Sequence, residues 1–242
     1  MKKLILITTL FFSSFFLFSQ DNSKKKYLVN TIAFYNVENL FDTINDPKTW
    51  DDDRTPKGKD RWTSIIYEKK LKNIARVIAD IGSDLTNSAP SIIGLCEIEN
   101  KTVLNDLIKT KALENENYGI IHYDSPDERG IDVAMLFKKN RFSPVSSKTY
   151  PLYLSKKNGK IDYTRDHLLV SGNLDKDPIH FIINHWPSRS GGQMRSEPNR
   201  ILAGKLNKKI IDSILKVNPK ANIISMGDFN DNPSDRSIKP IL

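Results

Sequence analysis

The chain has 242 residues, of which 38% are hydrophobic and 27% charged, with one cysteine and a formal net charge of +8. That length and balance suit one large or two small globular domains with a sizeable core. A single cysteine excludes an internal disulfide framework, so stability must come from the core or from bound metal.

Residues 1–20, MKKLILITTLFFSSFFLFSQ, begin with Lys2 and Lys3 and continue as an apolar stretch from Leu4 to Phe18. This is the layout of a secretory signal peptide. The run is interrupted by Ser and Thr and falls short of the roughly 20 apolar residues that span a bilayer. An export leader is therefore expected rather than a retained anchor, with cleavage after Ser19 or Gln20. The mature protein would be secreted or periplasmic, with no transmembrane span. Loss of the two lysines lowers the charge from +8 to +6. The remaining excess fits an anionic partner such as nucleic acid or phospholipid head groups, and fits mere solubility equally well.

Residues 21–27 are polar and read as a flexible segment, and 28–242 read as a single domain. YLVNTIAFYN (27–36) predicts a strand. Residues 42–62, with two prolines, predict a long loop, and long loops in compact domains are usually functional or disordered. In 63–82, Leu71, Ile74, Ala75, Ile78 and Ile81 share one helical face, and Gly82 stops the helix. PSIIGLCEIEN (90–100) predicts a buried strand that ends in acids, which makes Cys96 an inert core thiol. KTVLNDLIKTKAL (101–113) predicts a short amphipathic helix.

Then come YGIIHYDS, GIDVAMLFKK, SPVSSKTYPL, TRDHLLVSGNL and PIHFIINHW, strand-like runs separated by turn residues. EPNRILAGKLNKKIIDSILK (197–216) predicts a second long helix, with Ile201, Leu202, Leu206, Ile210 and Ile214 inward and Pro198 near its start. ANIISMGDFND supplies the last strand and loop. Strands alternating with a few long helices imply mixed α/β, with sheets covered by helices.

One arrangement recurs. An apolar run ends, and a particular polar group follows: Asn36 after IAFY, Glu97 after SIIGLC, Asn184 and His185 after HFII, and Asp228 with Asn230 after NIISMG. Loops after strands are where a rigid scaffold carries binding groups. Each residue alone is as well explained by a turn, a cap or a satisfied rim histidine. Together, carboxylates with amide oxygens suit Mg2+ or Mn2+ better than zinc, which would want a denser His and Cys set. A histidine and arginines near a hard cation suit phosphate ester hydrolysis. Arg129, Arg165 and Arg189 are candidate phosphate clamps, with solvated surface charge as the alternative for each.

FYNVENLF, IIGLCEIEN, RGIDVAMLF, TRDHLLV, INHWPSR and MGDFND, in that order, resemble the endonuclease/exonuclease/phosphatase superfamily. The resemblance implies a two-sheet α/β sandwich, deoxyribonuclease-like, with helices on the outer faces and the site at one end. It implies metal binding by Glu97 and Asn36, catalytic roles for His185, Asp228 and Asn230, and a substrate contact from Arg165; Arg189 and Asn184 are added as candidate substrate contacts from the residue pattern alone. Asp231, Asn232 and Asp235 would shape the loop. The family pattern ends in a strand carrying Ser-Asp-His, and nothing like it follows Asp235. The domain therefore reads as C-terminally incomplete, with activity impaired. The expected function is a metal-dependent phosphodiesterase, a nuclease on DNA or RNA, acting as a monomer without a stable protein partner. The alternatives are a phospholipid or small-molecule phosphoesterase and a non-catalytic nucleic-acid-binding relic.

Overall fold

Strand β2 (Ile92–Ile98) shows how the domain is layered. It lies between the parallel β1 (Ile32–Leu40) and the antiparallel β4 (Asp132–Lys138), and β3 (Tyr118–His122) completes a sheet ordered β1-β2-β4-β3. Successive side chains of a strand point to opposite faces. Ile93 and Leu95 accordingly pack with helices α1 (Ser64–Asp80) and α3 (Lys101–Ile108), the short α2 (Ser83–Thr86) intervening in sequence. Ile92 and Cys96 face a second sheet. That sheet, β10-β9-β8-β5, comprises β5 (Phe142–Tyr150), β8 (His167–Leu174), β9 (Asp177–His185) and β10 (Ile223–Asp228). A small hairpin of β6 (Leu154–Ser155) and β7 (Ile161–Asp162) stands apart from both sheets. Helix α4 (Gln193–Val217) covers the outer face of the second sheet through Ile210 and Ile214 against Ile182.

The computed structural model describes residues 28–156 and 158–241, and the expected leader and 21–27 segment lie outside them. Among the described residues no helix is long and apolar enough to cross a membrane.

The inter-sheet core includes Phe137, Phe142 and Phe181 in edge-to-face contact, with Val170 and Ile183. Each large apolar side chain fully buried there stabilises by about 1.5–3 kcal/mol. Cys96 is fully buried in this layer, and burial pushes its thiol well above the usual range, which leaves it unreactive.

The eight expected strands are present in the expected order, and the short β6–β7 hairpin is an addition that the sequence did not suggest. The helices differ at their ends. Helix α1 buries Leu71, Ile74, Ala75 and Ile78 as expected, and Gly82 follows at φ 68 with Thr31 against its Cα, where a side chain would not fit. Helix α3 is capped by Asn100, which accepts from the amides of Thr102 and Val103, and stops at Ile108 instead of 113. Both the amide and the hydroxyl of Thr110 turn back to the Leu107 carbonyl and close the last turn early. Helix α4 starts at Gln193, four residues before the sequence suggests, and Leu202 is 43% exposed. Its buried stripe is Ser196, Arg200, Ala203, Gly204, Asn207, Ile210 and Ile214. Ile210 and Ile214 are buried as expected and Leu206 packs beside them, but Ser196, Arg200 and Asn207 are polar, so apolar periodicity alone did not find the N-terminal half of the stripe. Gly204 has no room for a side chain because the Ser237 carbonyl lies against it. The 42–62 loop is held in place, with the Trp50 amide on the Glu128 carbonyl and the Asp46 amide on the Asp51 carboxylate.

His167 at the start of β8 is 1% exposed and its Nε2 has no partner. Burial pushes its pKa down to about 4. The folded state therefore refuses a proton that the unfolded chain accepts below about 6.5, so stability falls as pH drops through that window. At about 1.4 kcal/mol per unit, the contribution from His167 to acid destabilisation is about 3 kcal/mol. Urea unfolding at pH 7 and pH 4 is expected to show a smaller acid loss for His167→Gln than for the wild type.

Candidate active site

Period-two alternation carries each inward-facing row from apolar to polar at the same end of the sandwich. On β1 the row is Ile32, Phe34, Asn36; on β9 it is Phe181, Ile183, His185; on β10 it is Ile224, Met226, Asp228. Register brings the ends together, with Asn36 opposite Cys96 and Asp228 opposite His185.

Glu97 reaches the same place by breaking the alternation. Cys96 pairs with Val133 and Ile98 with Asp132, so Glu97 is an extra residue on β2, a bulge with φ 63. The bulge returns Ile98 to the helix-facing core and frees the Glu97 side chain for the inter-sheet end. A left-handed backbone costs a non-glycine residue roughly 1–2 kcal/mol, and such strain clusters at functional sites.

The four groups converge. The Asn36 amide nitrogen donates to Glu97 Oε1 at 3.2 Å and to Asp228 Oδ2 at 3.0 Å, across 192 positions of sequence. His185 Nε2 lies 3.7 Å from Glu97 Oε1, and its Nδ1 is buried without a partner. Burial, with Arg165 and Arg129 nearby, holds the His185 pKa far below the usual imidazole range, at about 2, so the ring is neutral at ordinary pH. Asn230 follows at φ 52, its amide on Asp228 Oδ1 and its side chain on the Trp186 carbonyl.

The three expected substrate contacts are placed differently. Asn184 is fully buried on the opposite face of β9, where its amide ties Ser225 Oγ and the carbonyls of Ile182 and Met226. It does not reach the cluster, because adjacent residues of a strand cannot share a face. Arg165 is 5% exposed, paired with Asp127 at 3.1 Å, and donates to the Trp186 carbonyl at 2.6 Å. Arg189 is half-buried and holds the loop after β10, through the Asn230 carbonyl at 2.7 Å and the Asp231 and Asp235 carboxylates.

Sequence reasoning missed Arg200. It lies inside α4 with no exposure, 2.7 Å from Asp231, which is equally buried and also accepts from Ser237 Oγ. Asp231 thus shapes the loop as expected, but through an ion pair to a helix that no local motif announces. Asp127 and Lys70 were also missed. Asp127 serves Arg165 and Arg129 together, and Lys70 donates to the Glu38 carbonyl at 2.7 Å. Among the described residues, His122, Asp124 and Asp132 are grouped closely enough to hold a metal ion. Asp132 Oδ2 and Asp124 Oδ1 lie 3.0 and 3.9 Å from opposite nitrogens of the His122 ring.

Comparison with known proteins matches residues 31–242 to the model of the Endonuclease/Exonuclease/phosphatase family. The chain belongs to that family. No curated protein matches it. An endonuclease/exonuclease/phosphatase family protein from Bacteroides thetaiotaomicron is 16% identical with a TM-score of 0.53, over 87% of this chain and 65% of that one. A mannosyl-6-phosphatase of the same bacterium is 16% identical with a TM-score of 0.51, over 87% of this chain and 68% of that one. TDP2 from Caenorhabditis elegans is 18% identical over 72% of this chain, with a TM-score of 0.49 that carries no argument. The chain spans 45% of that relative's length. At these identities the likeness is one of fold, and the two-sheet α/β architecture of the family is the one described above.

Two outcomes follow from this geometry. Glu97→Gly is expected to be more stable than Glu97→Ala by up to about 1 kcal/mol, since only glycine adopts φ 63 freely; matched thermal melts measure the difference. Asp231→Ala, which leaves Arg200 buried and unpaired, is expected to cost about 3–5 kcal/mol in urea unfolding, far more than a surface aspartate.

Proposed function

We propose that this protein is an exported, divalent-metal-dependent phosphodiesterase that cleaves nucleic acid. The observation that carries this is the meeting of Asn36, Glu97, His185 and Asp228 at one end of the inter-sheet core. The donor set fits a hard cation: the Glu97 and Asp228 carboxylates with the Asn36 amide nitrogen between them, where positive charge is wanted, and the Asn36 Oδ1, which accepts from the Glu38 amide, as a further oxygen. Glu97 and Asn36 would hold Mg2+ or Mn2+. When bound, such an ion would neutralise a non-bridging phosphate oxygen.

The protein groups have separable tasks. Asp228 is fixed by the Asn230 amide and is placed to accept a hydrogen from an attacking water. Asn230 is held by the Trp186 carbonyl and lies beside it to steady the phosphate. His185, neutral and buried, can donate one hydrogen bond to a phosphoryl oxygen without adding a charge that would pull the metal-binding carboxylate away. General acid–base groups of this kind contribute about 10²–10⁴-fold in rate.

The basic mature chain supports a polyanionic substrate, and the leader supports export. A phospholipid substrate has less support. Membrane-acting enzymes of this kind tend to present an exposed apolar or aromatic hairpin; in Tyr150–Leu154 both leucines are buried beside Trp186, and Tyr153, Ile161 and Tyr163 are the exposed apolar side chains around the β6–β7 hairpin.

Purified protein is expected to nick plasmid DNA or cleave RNA with Mg2+ or Mn2+ and to stop on addition of EDTA. Glu97→Gln and Asp228→Asn are expected to lose at least about 100-fold while keeping the wild-type circular dichroism spectrum. Cleavage by Glu97→Gln at the wild-type rate would remove the assignment.

A further inference from the structure

Beside the catalytic cluster lies a cleft of about 480 Å³, which is within the usual range for small-molecule sites. It begins on the chain segment just past His185, at Pro187 and Ser188, and one wall is the start of α4. Trp50 and Tyr163 line it, and these two aromatic side chains are 67% and 49% exposed. Single exposed aromatic residues are ordinary on a protein surface; what distinguishes these two is that they share one cleft with three arginines.

The same cleft is cationic where it meets α4. Arg129, Arg165 and Arg195 line it. One carboxylate, Asp127, faces both Arg129 and Arg165. Glu128 is taken by Lys156 at 2.8 Å, which leaves Asp162 as the other acid. Arg165 is 5% exposed, and its Nε has no partner among the described residues. Arg195 makes no ion pair among the described residues. Helix α4 begins after Gly191 and Gly192, at φ 75 and 105, with no side-chain cap and no acid in its first turn. Uncapped amides at the positive end of a 25-residue helix add to the attraction for an anion.

We infer that this cleft is a second subsite that takes the neighbouring nucleotide of the substrate chain, with its base on Trp50 and Tyr163 and its phosphate on Arg195, Arg129 and the start of α4. The inference rests on the phosphodiesterase proposal and sharpens it, because a substrate with one phosphate and no flat ring would leave the cleft unused. The subsite and the catalytic cluster are rigidly coupled. Asp127 pairs with both Arg129 and Arg165, and the Trp186 carbonyl accepts from both Arg165 and Asn230, so a phosphate on Arg129 is linked through these contacts to the catalytic cluster.

The test uses dinucleotides with one cleavable linkage, with and without a terminal phosphate at the 5′ or the 3′ end. In the full chain with Mg2+, a terminal phosphate at one of the two ends is expected to raise kcat/KM about tenfold or more. Arg195→Ala should abolish that gain and leave the unphosphorylated dinucleotide unchanged. Trp50→Ala should slow both dinucleotides about tenfold, the scale of one base stacked on an aromatic ring. The inference is overturned if neither terminal phosphate helps, or if Arg195→Ala slows both substrates equally. Should the wild type cleave nothing, tryptophan fluorescence still decides. A phosphorylated dinucleotide without metal should quench emission in the wild type, but not in Trp50→Phe, and more weakly in Arg195→Ala. Quenching without cleavage keeps the subsite and defeats the enzyme, and no quenching defeats the subsite.

Discussion

Two carboxylates brought to the end of an apolar core must be compensated, and here one amide does it. Asn36 donates to both Glu97 and Asp228 and so ties the first sheet to the second at the end where the chemistry is expected. Burying an unpaired charge costs several kcal/mol, so this arrangement is stable only with a positive or hydrogen-bonding centre between the acids. The demand that makes the cluster awkward as a structure is also what makes it suited to a cation and a phosphate ester.

The rest of the molecule holds that junction still. The bulge at Glu97 spends backbone strain to aim one side chain. The loop after β10 is locked from three directions, by Arg189 on the Asn230 carbonyl, by Arg200 on Asp231, and by the Trp186 carbonyl on the Asn230 side chain. Burial keeps His185 neutral, which separates its role from that of the arginines behind it. The long 42–62 loop supplies Trp50 to the neighbouring cleft and is pinned there by Glu128.

Much of this was legible in the chain. Which residues of β1, β9 and β10 look inward was implicit in the alternation of a strand's two faces, and the structure makes it explicit. The recurrence of a polar group after each apolar row then marked one end of the sheets. The same rule separates His185 from Asn184, which belongs to the α4 side. The helix faces were read less well, because the buried stripe of α4 includes Arg200 and Asn207, and hydrophobic periodicity cannot count a buried charge whose partner lies on another segment.

The sequence by itself determined the order of elements, the family, and the residue types that could meet a divalent cation, since these depend on local pattern and composition. Only the tertiary structure decided that Arg165 is sequestered by Asp127, that Arg189 and Arg200 grip a loop, and that Trp50, Tyr163 and Arg195 share one cleft. Those outcomes turn on pairings between residues tens of positions apart. Such pairings are fixed by how two sheets and a helix close on one another, and no stretch of the chain records them locally.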